Sequence, residues 1–263
     1  MSMLVKKYCR LALLPLLMLA LFSCSKQQPA VQESDLSLSL VCEQDFLFSK
    51  AGEGSVSADS LYYLVYAEGE SVPQFSAQTA FNPSGTTDLK IRLFKDKPYV
   101  LAFWAYNSAA GYTVTERDGT VTFPSNPAAN DANLDAFYAK ASITGGQGSL
   151  SVTLKRAVAK INVNLSTALS EAATSSLSFD SAYKSFSLYD GEVSDAVALS
   201  FNPAFCPDTP NVAFAYLFAP QDQSYRCTMS LKVYDSTPAE LLGTTLANIP
   251  VQRNIQTNIT YNN

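Results

Sequence analysis

The sequence predicts an all-β protein: two β-sandwiches, or one extended sandwich pair, with Greek-key connections and one short helix between two strand-rich halves. Three observations carry that prediction. Several segments alternate apolar and polar residues with period two, the pattern of half-buried antiparallel strands. Others are near-continuous apolar or aromatic runs of strand length, as the central strands of a sandwich are. Turn-forming residues punctuate the runs at Pro83-Ser84-Gly85, Asp118-Gly119, Gly145-Gly146 and Asp190-Gly191.

In chain order, the first element is not part of that fold. Lys6, Lys7 and Arg10 precede the apolar run Leu11 to Phe22, and polar sequence follows Cys24 at once. A basic flank, a short apolar stretch and a small-residue cleavage site make a secretory signal, residues 1–23. As a helix the run would measure about 18 Å, short of the roughly 20 residues a bilayer core demands. A buried core helix would leave the basic flank unexplained. Leu21-Phe22-Ser23-Cys24 resembles the lipobox of bacterial lipoproteins, although Phe22 replaces the usual small residue. That resemblance implies a diacylglyceryl group on the Cys24 thiol and a further acyl chain, of the palmitate kind, on its freed amine. Each buried methylene contributes about 0.8 kcal/mol, so several long chains anchor firmly where one would not. Ser25 and Lys26, rather than Asp, follow Cys24, which favours the outer membrane. A plain secreted protein with an unmodified cysteine is the rival reading. Residues 24–35, including the polar Ser25–Ser34 with Pro29, read as a lipidated tether.

The N-terminal sandwich is expected over 36–165. LSLSLV (36–41) alternates, SLYYLVYA (60–67), LKIRLF (89–94) and YVLAFWAY (99–106) read as central strands, and AKINVNL (159–165) places Ala159, Ile161, Val163 and Leu165 on one face. STALSEAATSSL (166–177), rich in Ser, Ala and Glu with Ser166 as cap, predicts the short helix, and the domain boundary is set there. The C-terminal sandwich then covers 166–263. VAFAYLFA (212–219) is another central run, and RCTMSLKV (226–233) alternates Cys227, Met229, Leu231 and Val233 against polar neighbours.

Composition excludes whole classes of chemistry. The 263 residues contain no histidine, which rules out Ser-His-Asp and Cys-His catalysis and His-containing zinc sites. Cleavage removes three positive charges and takes the net charge from −5 to −8, so nucleic acid is not an expected partner. Glu116, Asp118, Asp131 and Asp135 could be imagined as a carboxylate pair or calcium site, but their spacing matches no ligand loop. They read as solvated loop charges. Trp104 could offer a platform for stacking a sugar, and packing between sheets is the stronger reading. No cofactor, metal or catalytic residue is expected. Cys42, Cys206 and Cys227 remain after Cys9 leaves with the signal and Cys24 takes lipid; an odd count cannot all pair. Either Cys206 and Cys227 form a disulfide, or the thiols are buried and free.

Four segments, FWAYNSAAGY (103–112), LDAFYA (134–139), VTLKRAVAKINVNL (152–165) and NIPVQRNIQTNIT (248–260), together resemble the fimbrillin-like lipoproteins of anaerobic Gram-negative gut and oral bacteria, of the FimA/Mfa type. The matches run in order across most of residues 36–263. The resemblance implies two transthyretin-like sandwich domains and a role as subunit, tip or anchor of a surface pilus assembled by strand donation, which is β-augmentation. Ile255, Thr257, Ile259 and Tyr261 share one face of the last segment and are the expected donor residues. Members of that family are matured by an arginine-specific protease after the first strand. Here the first arginine after Cys24 is Arg92, within a strand pattern, so either the chain stays anchored or a different protease cuts at Lys50 (FLFSK–AGEG). The expected partners are outer-membrane lipid through Cys24, other fimbrial subunits or further copies of the chain, and a host protein or glycan. The rival function is a non-polymerising surface lipoprotein that binds glycan or protein.

Overall fold

The computed structural model describes residues 32–45, 56–206 and 210–263; Cys24 and Lys50 lie outside them. The strands of the first half are β1 (Glu33–Cys42), β2 (Ser60–Ala67), β3 (Phe75–Ala80), β4 (Thr87–Phe94), β5 (Pro98–Tyr106), β6 (Thr113–Thr115), β7 (Thr120–Thr122), β8 (Ala136–Thr144) and β9 (Ser149–Arg156). Those of the second are β10 (Val158–Leu165), β11 (Thr174–Ser187), β12 (Val193–Phe205), β13 (Asn211–Phe218), β14 (Tyr225–Tyr234), β15 (Glu240–Val251) and β16 (Gln256–Tyr261). Helical residues among those described are confined to the short 3-10 turns Ser108–Ala110 and Ala132–Leu134, so the all-β class holds.

Two sheets form. The first runs β3-β2-β5-β8-β9-β1-β4; the second runs β15-β14-β11-β13-β10-β16, with β12 and β7 paired to β11 and β6 to β7. The first sheet curls so that one face encloses a core of Leu36, Leu38 and Leu40 from β1, Ile91 and Leu93 from β4, and Phe103 and Phe137 opposite them. The other face of β2, β5 and β8 packs against the second sheet. β5 shows this residue by residue: Tyr99, Leu101, Phe103 and Ala105 enter the first core, while Val100, Ala102, Trp104 and Tyr106 enter the second. A strand covered on both faces can carry an unbroken apolar run, which is why PYVLAFWAY lacks alternation. Trp104 is fully buried, edge-on to Tyr112 and Phe218, and is a core residue rather than a platform.

The helix expected over residues 166–177 does not form. Residues 166–173 are a link of bends and turns, and β11 begins at Thr174. The would-be helix start is tied elsewhere: the Ser166 amide donates to Tyr261 O and the Thr167 amide to Asn263 Oδ1. From Leu177 the inward residues alternate, Leu177 and Phe179 both being buried. A helix of this length is marginal by itself in water, so burying two large apolar side chains against a sheet decides the conformation.

Sheet membership does not follow the expected division at 165/166. β10 pairs antiparallel with β13, and β7 pairs with β11, so strands from before the link belong to the C-terminal sheet. Glu33–Asn263 is one compact unit. The strand predicted at 36–41 also starts earlier, at Glu33, because its first residues pair with Leu93 and Phe94 of β4.

Candidate functional site: the terminal strands and a cationic cleft

β1 lies inside its sheet. It pairs antiparallel with β4, from Glu33↔Phe94 to Leu40↔Thr87, and parallel with β9, from Ser37↔Ser149 to Cys42↔Leu154. Its alternation sends Leu36, Leu38, Leu40 and Cys42 inward, leaving Ser37, Ser39 and Val41 outward. Arg92, exposed on β4, pairs with Asp35 at 3.4 Å.

The last strand is placed differently. β16 pairs parallel with β10, from Lys160↔Gln256 to Leu165↔Tyr261, and is the end of its sheet among the described residues. Of the expected donor residues, Thr257, Ile259 and Tyr261 lie on β16, while Ile255 stands in the turn before it and gives its carbonyl to the Lys160 amide. Ile259 and Tyr261 are half-buried against the second core, and Thr257 Oγ1 donates to Pro250 O at 2.8 Å. An amide row fixes the register. Asn162 Nδ2 donates to Asn258 Oδ1 and Asn211 Nδ2 to Asn162 Oδ1, at 3.2 and 2.6 Å.

Among the described residues the first sheet ends in two edges, β3 and β4. Between them opens a groove of about 340 Å3 flanked by Phe75 and Phe94, which are 49% and 43% exposed.

A second concavity, about 480 Å3, is basic. The β8–β9 hairpin supplies Tyr138, Lys140, Lys155 and Arg156; the facing wall supplies Gln221 and Asp222 after β13, and Arg253 and Asn254 between β15 and β16. The arginines belong to the two most extended motifs of the sequence, VTLKRAVAKINVNL and NIPVQRNIQTNIT. Arg156 Nε donates to both oxygens of Asp135, at 3.0 and 3.1 Å, in a fully buried ion pair. Burial pushes the Asp135 carboxyl up to about 6, with the Arg156 guanidinium pulling against it. Arg253 donates from Nε to Ala219 O and from Nη2 to Gly191 O, and its guanidinium lies 4.8 Å from the centre of the Phe186 ring. It thus staples two turns together. Gly191 is required there: its φ is +82°, and a Cβ would stand 3.0 Å from the Tyr138 ring.

The acidic residues do not converge. Asp118 caps its turn by accepting from the Thr120 amide, Asp131 caps a 3-10 turn by accepting from Asn133, Asp135 is paired to Arg156, and Glu116 is exposed. Among the described residues no group of three His, Cys, Asp or Glu could hold a metal. Cys42, Cys206 and Cys227 are all free and buried, which decides the open alternative against a disulfide. Burial raises all three thiols, Cys227 up to about 11. No described helix is long and apolar enough to cross a membrane.

With these features in view, the fold defines a class. It is shared with the fimbrial anchor protein Mfa2 of Porphyromonas gingivalis (TM-score 0.50, 14% identity, 81% of this chain and 83% of that one). It is shared also with a candidate adhesin of Bacteroides ovatus (0.54, 12%, 87% and 89%) and a candidate polysaccharide-binding protein of Bacteroides thetaiotaomicron (0.55, 12%, 80% and 79%). The fimbrillin-like, Mfa-type fold expected from the motifs is the fold observed. The kinds named among these neighbours, adhesive and fimbrial, are non-enzymatic. Residues 28–262 match the family of unknown function DUF6562, and the chain belongs to that family. No curated protein matches it.

Proposed function

We propose that this protein is a surface lipoprotein, held to the outer membrane through acylated Cys24, that serves as a structural, anchor or accessory subunit of a fimbria assembled by β-strand donation and supports adhesion. The observation that carries the reading is the seat of β1. An internal strand that buries every second side chain and borders two neighbours is the kind of element another chain's strand can replace. Its loss would leave an open apolar slot with an unpaired edge on each side. Lys50 follows β1 by eight residues in the sequence, so a cut there would free β1 from the rest of the chain. Thr257, Ile259 and Tyr261 on the end strand β16 are the proposed donors, with Ile255 leading into them. The exposed Phe75 and Phe94 beside the β3 and β4 edges offer a further place for chain-to-chain packing.

N-terminal sequencing of the protein from cells, with electron microscopy of shed material, tests the reading. Fibres containing the chain are expected; a start near Ala51 would favour a polymerising subunit over an anchor. A strict monomer lacking acyl chains on Cys24 would overturn it. The cationic cleft favours a second reading, a non-polymerising binder of glycan or protein, and assembly state separates the two.

A further inference from the structure

The cleft between the β8–β9 hairpin and the β15–β16 turn holds a concentration of positive charge in a chain whose net charge is −5. Four cations and one carboxylate, Asp222, line it. Arg156 is neutralised by Asp135. Arg253 makes no ion pair among the described residues: it is only 7% exposed and spends its donors on the Gly191 and Ala219 carbonyls, and Glu192 and Asp222 act on it only from beyond ion-pair distance. Its remaining contact, Nη1 to Gln221 Oε1, is long at 3.5 Å. Buried charges are normally paired, because removing them from water is costly. Lys140 and Lys155, exposed on the same wall, also make no ion pair among the described residues.

A second observation points the same way. Asn254, 4% exposed, donates from Nδ2 to Glu43 at 2.8 Å, but its Oδ1 has no hydrogen-bond partner among the described residues. A buried acceptor left open on the wall of a cleft suits a ligand that brings a donor. The ligand indicated therefore carries both an anionic group and hydroxyls.

We propose that this cleft binds an acidic saccharide, a sugar bearing a carboxylate, with Lys140 and Lys155 taking the carboxylate beside Arg253 and with Asn254, Gln221 and Thr153 meeting the hydroxyls. β8 and β9 pair only at Phe137↔Arg156 and Tyr138↔Lys155, so the cleft opens where the two strands part and is lined by side chains of both. The amide and hydroxyl side chains on both walls are the groups that pair with sugar hydroxyls, and an acidic peptide fits them less well. The inference deepens the adhesive part of the proposed function and does not rest on strand donation.

The test is titration calorimetry on the purified full chain with tetragalacturonate, tetragalactose and a short polyglutamate, repeated on the K140Q/K155Q double variant. Saturable binding of tetragalacturonate alone is expected, with a loss of about tenfold or more in the variant, the scale of one charge-assisted hydrogen bond. Both lysines are exposed, so circular dichroism and the melting temperature should not change. Equal binding of polyglutamate would overturn the saccharide assignment. Binding no stronger than that of neutral tetragalactose, or unmoved by the double substitution, would overturn the site. Fibres formed by a chain that ignores tetragalacturonate would sink this inference and leave assembly standing; the opposite result would do the reverse.

Discussion

The first and last strands of the described chain invite comparison because each runs parallel to one of two consecutive strands, β1 beside β9 and β16 beside β10. Their surroundings differ. β1 has a neighbour on both sides and places Leu36, Leu38 and Leu40 at 2% exposure or less; β16 has one neighbour among the described residues and keeps Ile259 and Tyr261 half-exposed. At roughly 1.5–3 kcal/mol for each buried leucine, withdrawal of β1 costs on the order of the whole stability of a domain. Withdrawal of β16 costs much less and only moves the edge of its sheet from β16 to β10. In the proposed assembly the acceptor slot is thus guarded by a large energy, which covalent cutting can remove, while the donor is held by a small one.

Breaking the comparison at its strongest point should give the largest effect. A chain beginning at Val56 is expected to bind an apolar dye and aggregate, and the peptide ESDLSLSLVC supplied separately should restore a soluble monomer; a chain ending at Ile255 should stay folded. If both truncations behave alike, the asymmetry does not exist. Next, Leu38→Ala should lower unfolding free energy in urea by about 2–5 kcal/mol, whereas Ile259→Ala, at a half-buried site, should cost about 1 kcal/mol. Asn162→Ala removes the centre of the amide row that registers β16 and should cost about 1 kcal/mol, read by the same denaturation and by faster amide exchange along β16 alone.

The smallest signal is the most local. Cys42 ends β1 and Cys227 lies in the second core, and burial raises both thiols, Cys227 to about 11. A raised thiol stays protonated in the folded state as pH climbs past its ordinary range. At pH 8 only roughly one Cys227 side chain in a thousand is then thiolate, and labelling by a disulfide reagent should be slow. Cys42 should remain equally protected until β1 leaves. Rapid native labelling of Cys42 alone would show that β1 does not occupy its slot.

Much of the fold is legible in the sequence where one residue pattern has one meaning. The runs at 60–67, 99–106 and 212–219 are strands, and all four turn signals fall between strands. Two features were hidden. The β11–β12 ribbon is long and largely polar, with Val197 and Phe205 exposed, so it shows no continuous apolar face. Residues 166–177 have helical composition, but Leu177 and Phe179 decide their end of the segment through a core that local sequence does not display. The cleft was hidden for a different reason. Arg156, Arg253 and Asn254 stand in the quoted motifs, yet nothing local shows that residues some hundred positions apart form one wall and its opposite. Cys24 and Lys50 rest on sequence chemistry alone.

One consequence of the β1 register is mechanical. A pull applied to β1 along its own axis would load both ladders, Glu33↔Phe94 to Leu40↔Thr87 and Ser37↔Ser149 to Cys42↔Leu154, in shear. Bonds loaded together share the force, while bonds peeled from one end fail in succession like a zipper. A fibre or a cell tugging along this strand would be resisted by the whole seam at once.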